Sequence, residues 1–199
     1  MRKLREKKMD TNLLNDHQKF RKFPNNQIDT NLLNNRQKEI GDEAFITTKT
    51  DLKGRITYAN SYFLEIVNAK NSELIGKNHN IVRHPDMPKY VFKLLWERIK
   101  KKEEVFAFVK NITFDGGYYW VFANVTSSLD ERGNIIGYYS VRRKANPVAV
   151  EKIIPIYQKM IELEKTGGMD ASQKYITELL ASLNTTYDRF VNELQRSKG

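Results

Sequence analysis

Cysteine is absent from all 199 residues, which excludes disulfides, thiolate metal ligands and a cysteine nucleophile. No apolar run is long enough to cross a bilayer. The N-terminus is basic (Met1-Arg2-Lys3-Leu4-Arg5), but no apolar stretch follows, so it does not read as a secretory signal. Gly-rich phosphate loops of the dinucleotide or nucleotide-triphosphate type are missing, and no Ser-His-Asp arrangement suggests itself. The adjacent acids Glu103 and Glu104 would point to opposite faces of a strand and cannot act as a pair. These absences lead to the expectation of a cytoplasmic protein that is not an enzyme. Histidine is scarce as well. Of three in the chain, two lie together at His79 and His84.

What is present supports a folded core, since 40% of the residues are hydrophobic and 11% aromatic. The net charge of +10 is divided between residues 1–40 and 41–147, and residues 148–199 are neutral. Basic residues are scattered apart from Lys100-Lys101-Lys102 and Arg142-Arg143-Lys144. These runs read as solvated helix and strand ends, so neither nucleic acid nor direct membrane insertion is expected.

Three regions follow one another along the chain. Residues 1–43 form a polar, Asn-rich cap with a short repeat, Asp10-Thr11-Asn12-Leu13-Leu14 and Asp29-Thr30-Asn31-Leu32-Leu33. Two copies are too few for a solenoid, and partial disorder is expected there. Residues 44–146 carry the strand patterns Phe45–Thr50, Ile56–Tyr58, Glu104–Phe114, Tyr118–Ser128 and Ile135–Arg143. Helical pieces come between the second and third: Ser61–Val67, Asn71–Ile75 and Lys89–Lys101. This order predicts an α+β domain, an antiparallel sheet with helices gathered on one side. Residues 147–199 read as helices. Pro155 is a kink or restart, Gly167-Gly168 a stop, Asp170 with Gln173 a capping box, and Thr185 or Thr186 a cap for Tyr187–Gln195.

The run Asn78-His79-Asn80-Ile81-Val82-Arg83-His84-Pro85-Asp86-Met87-Pro88 stands out. It places donors, positive charge and a helix start at one point, an arrangement suited to an anionic, ring-bearing ligand. With Thr50-Asp51, Ile56–Asn60, Leu95-Trp96, Val109-Lys110-Asn111, Gly117–Asn124 and Gly137–Arg142, it resembles the FAD-binding PAS domains of aerotaxis and energy-taxis receptors. The resemblance covers about residues 45–160 and implies a five-stranded PAS fold. It also implies a non-covalently held FAD that reports redox state. Without cysteine, a cysteinyl-flavin photoadduct is ruled out. The signalling module and membrane anchor common in such receptors are not seen. The expectation is therefore a stand-alone, homodimeric sensor acting on a methyl-accepting-type chemotaxis transducer on another chain, and reaching the membrane's inner face only through it.

Seven residues carry the expected cofactor site. By the resemblance, Arg83 and His84 hold FAD's pyrophosphate or ribose and brace the ring, although Arg83 could instead pair with Asp86 to stiffen the turn. Asn60 reads as an N-cap and, by the resemblance, as a pocket donor. Asn111 sits mid-strand, where asparagine is disfavoured, and its amide could read a flavin edge in either redox state. Trp96 is core by its helical spacing and a flat pocket wall by the resemblance. Trp120 and Tyr138 fit core, partner-facing surface or pocket equally well. Three other readings stay open: a cofactor-free docking or dimerisation module, a haem site using His79 or His84, and a small flavoenzyme. Further metal ligands at sensible spacing are not evident.

Overall fold

A computed structural model describes residues 33–198. The first copy of the repeat lies outside the described residues, as does the expectation about order up to residue 32. In chain order the elements are β1 (Ile46–Thr50), β2 (Ile56–Ala59), α1 (Ser61–Val67), α2 (Asn71–Leu74), a 3-10 turn (His79–Val82), α3 (Lys89–Ile99), β3 (Val105–Ile112), β4 (Tyr118–Leu129), β5 (Ile135–Lys144), α4 (Pro147–Ser182) and α5 (Tyr187–Arg196). The five strands form one antiparallel sheet in the order β2-β1-β5-β4-β3, so β1 and β5 from opposite ends of the domain pair at its centre.

Local chemistry sets most of these boundaries. Gly54 supplies the positive φ of 75° that closes the β1–β2 turn, where Asp51 accepts from the Lys53 and Arg55 amides. Asn60 caps α1, with Oδ1 accepting from the Phe63 amide at 3.1 Å. Thr186 caps α5 by accepting from the Arg189 amide. Strand alternation then sorts residues between two faces. Tyr119, Val121 and Ala123 of β4 are buried on the face that meets α1 to α3, along with Ile46, Phe63 and Val91. Trp120 and Phe122 point the other way, beneath α4.

The helices therefore lie on both faces: the short ones on one, the C-terminal ones on the other. The Tyr157 hydroxyl on α4 donates to the Phe108 carbonyl at 2.9 Å, and its ring lies against Trp120. Pro155 sits within α4 without ending it, whereas Gly168 (φ 67°, ψ −168°) interrupts the regular helix. The expected capping box at Asp170 and Gln173 is not how these side chains are used. Gln173 accepts from Lys93 of α3 at 3.2 Å, and Asp170 lies 3.9 Å from the same ammonium.

Candidate ligand-binding site

Between the inner face of the sheet and α3, the packing leaves a cavity. The space it leaves open is about 90 Å³. Trp96, Phe92, Leu95 and Tyr138 give it flat or apolar walls, and Trp96 and Tyr138 meet edge to face at 5.2 Å. Its polar lining comes from Thr48, His79, Asn80, Arg83, Asn111, Ser140 and Arg142.

The histidine-containing turn is fixed to the sheet by its backbone. Arg83 forms an isolated antiparallel bridge with Asn111, and the His84 amide donates to the Lys110 carbonyl at 3.3 Å. The Arg83 guanidinium lies over the Phe92 ring at 4.3 Å and donates to the Met87 carbonyl at 2.8 Å. It does not pair with Asp86, which binds Lys110 at 2.7 Å. Burial lowers the Arg83 pKa, opposed by the Glu164 carboxylate. The Asn111 amide is 3% exposed and donates to the Tyr119 hydroxyl at 3.3 Å.

Four of the seven expected site residues line the cavity: Arg83, Trp96, Asn111 and Tyr138. The other three are placed elsewhere. Asn60 is occupied by structure, accepting from the Thr47 and Phe63 amides and donating to the Phe45 carbonyl. His84 is buried against Tyr118 and does not line the cavity, with Nδ1 accepting from the Asp86 amide at 3.0 Å. Desolvation, reinforced by Lys110 and opposed by Asp86, lowers its pKa to about 4, so the imidazole is neutral at pH 7. Trp120 faces α4.

The cavity also contains a polar cluster that the sequence reading passed over. Arg142 Nη2 donates to Thr48 Oγ1 at 3.0 Å and lies 2.9 Å from His79 Nε2. Guanidinium only donates, so Nε2 must be the unprotonated nitrogen of His79. Burial, then Arg142, depress the His79 pKa to about 3. Nε2 is thus engaged with Arg142. Arg142 Nη1 and Ser140 Oγ are buried without a partner among the described residues. Alternation along β5 was the available signal, because Tyr138, Ser140 and Arg142 share a face. It was masked by reading Arg142-Arg143-Lys144 as a solvated run.

The cavity therefore joins flat apolar walls to a polar edge that carries the unpartnered Arg142 Nη1 and Ser140 Oγ. The PAS fold model matches residues 28–143, more than half of the chain. The chain belongs to the PAS family. It is 38% identical to the aerotaxis receptor of Escherichia coli (strain K12) over 121 residues, 61% of this chain and 24% of the receptor. Against the nitrogen fixation regulatory protein of Klebsiella pneumoniae it is 24% identical over 94 residues, 47% of this chain and 19% of that protein. The chain thus spans about a quarter or less of these relatives. The light-state structure of the blue-light photoreceptor Aureochrome1 LOV superposes with a TM-score of 0.50 at 23% identity, covering 59% of this chain and 92% of that one, which shows a shared fold. Among the described residues no helix is long and apolar enough to cross a membrane.

Proposed function

We propose that this PAS domain is a redox and energy-taxis sensor that holds FAD non-covalently in the cavity and signals to a chemotaxis transducer. The observation that carries this reading is the cavity itself. It lies between Trp96 and the sheet and has Asn111, Ser140 and Arg142 on its polar side. The similarity to the aerotaxis receptor supports the sensory role. Trp96, Phe92 and Tyr138 would wall the ring, Asn111 would meet its polar edge, and Arg83 would stand at the phosphate-bearing tail. Bound flavin supplies reversible electron uptake, which changes the hydrogen-bonding character of the ring edge.

The protein's part is to convert that change into movement. Asn111 can turn its amide, and its strand is bridged to Arg83 in the histidine-containing turn. The turn leads into α3, whose first amides are held by Glu164 of α4. A coupling of ~1–3 kcal/mol through this route suffices to bias a transducer. The sensor acts as a homodimer in the cytoplasm and reaches the membrane's inner face through its transducer.

The test is the visible spectrum and flavin-to-protein ratio of freshly purified protein, alongside Asn111→Ala and Arg83→Ala. Flavin bands in the parent and reduced occupancy in the variants are expected. Full occupancy in both variants would overturn the site assignment, and a colourless parent that stays so with added FAD would favour a cofactor-free docking module.

A further inference from the structure

Arg142 lies on β5 between β1 and β4, and is 6% exposed. The groups recorded against its head are neutral on every packed element. β1 offers the Thr48 hydroxyl, the 3-10 turn offers unprotonated His79, and α1 offers the Phe63 ring at 5.9 Å. From β4 comes Tyr119, whose phenol burial pushes up to about 12. Burial lowers the pKa of Arg142 itself to about 10, so it remains a cation at neutral pH. Among the described residues no carboxylate pairs with it. A buried cation with neutral partners and an unused N–H is costly to keep.

Ser140, two residues earlier on the same face, is 7% exposed and has the same deficit at Oγ. Both side chains line the cavity. Their unmet hydrogen bonds and the uncompensated charge call for one kind of occupant, a ligand presenting acceptors and negative charge towards β5.

We propose that Arg142, assisted by Ser140, is the charge-selecting contact of this cavity, binding the carbonyl-bearing edge of a flavin ring and favouring its reduced, singly negative form over the neutral oxidised form. This rests on the flavin reading above. Adding two electrons and one proton to the oxidised ring leaves a net negative charge, and the guanidinium attracts that charge where water is excluded. Arg83 is less suited to the task, because its guanidinium is stacked on Phe92 and tied to Met87.

The experiment uses the full chain with FAD as the probe, oxidised or reduced anaerobically with dithionite. Affinity for each form is measured in the parent, Arg142→Gln and Arg142→Lys, together with the melting temperature of each ligand-free protein. Arg142→Gln should lower the reduced-to-oxidised affinity ratio by about tenfold or more, equivalent to a fall of about 30 mV in the midpoint of the bound two-electron couple. Arg142→Lys, which keeps the charge, should hold the ratio within about threefold of the parent. Ligand-free Arg142→Gln should melt no lower than the parent, because it removes an uncompensated buried charge. A flavin-binding Arg142→Gln protein with the parental ratio overturns the inference and leaves the flavin reading standing. A less stable variant with that same ratio assigns Arg142 to packing alone. If Arg142→Gln does not fold, Arg142→Met, which removes the charge but keeps an extended side chain, decides: a tenfold lower ratio supports charge selection, and the parental ratio overturns it. A parent that binds neither form removes the flavin reading and this inference together.

Discussion

Glu164 provides a sharp test of how the C-terminal helix holds the sensor core. Helix α3 begins after Pro88, which has no side chain able to cap it. The missing cap comes from α4, where Glu164 Oε2 accepts from the Lys89 amide at 2.8 Å and Oε1 from the Tyr90 amide at 2.9 Å. A carboxylate at a helix N-terminus also meets the positive end of the helix dipole. Loss of a cap costs about 1 kcal/mol and loss of the dipole interaction up to about 1 more, so Glu164→Ala should destabilise by ~2 kcal/mol. For a domain of this size that corresponds to a fall of roughly 4–8 °C in Tm. Glu164→Gln keeps one carbonyl acceptor but loses the charge, and should fall about half as far. Thermal unfolding followed by circular dichroism measures the shift, and amide exchange at Lys89 and Tyr90 locates it. If Glu164→Ala melts with the parent and those two amides stay protected, α4 does not cap α3 and the route from turn to C-terminal helix fails.

Two more perturbations probe the cavity wall and the buried histidines. A Cβ on Gly54 would meet the Trp96 indole at 3.2 Å at a residue with φ of 75°, whereas Gly133 has a similar φ of 78° and nothing within 4 Å. Both Gly→Ala variants should lose ~1 kcal/mol of stability through the backbone, but only Gly54→Ala should lose flavin occupancy, and equal occupancy would refute Trp96 as a wall. His79 and His84 resist protonation down to about pH 3 and 4 in the folded state, while the unfolded chain protonates them near pH 6.5. The unfolded state therefore binds more protons below that pH, and the stability from these residues, complete above about 6.5, should drain as pH falls towards 4 and 3. Melting curves between pH 7.5 and 4 should show this decline, and His79→Gln should flatten it. An equally steep decline in His79→Gln would exclude His79 as a source.

Much of the fold could be read along the chain because its signals are local. Strand-forming runs marked the strands, Asn60 marked one helix start and Thr185 or Thr186 another, since each signal acts on backbone within a few residues of itself. The helix over Ser61–Val67 has the bounds the sequence suggested. Asp170 and Gln173 did not follow their local pattern because Lys93, on another helix, competes for both side chains. For the site, spacing identified the turn and the odd polar residue Asn111, but could not say which way side chains face. His84 satisfies its own turn, Asn60 is consumed by three backbone groups, and Trp120 falls on the α4 side of the sheet.

By itself, then, the order of residues determined the secondary elements, the PAS architecture and the location of the histidine-containing turn. Hydrophobic period and capping chemistry depend on neighbours a few positions away. Only the tertiary structure decided which polar groups converge on one cavity. Arg142 meets Thr48 and His79, 94 and 63 residues distant, because β5 crosses the sheet to lie beside β1. Whether a charge is solvated or stranded is a property of that pairing: alternation along β5 could put Arg142 on one face with Tyr138 and Ser140, but could not name the partners it meets there.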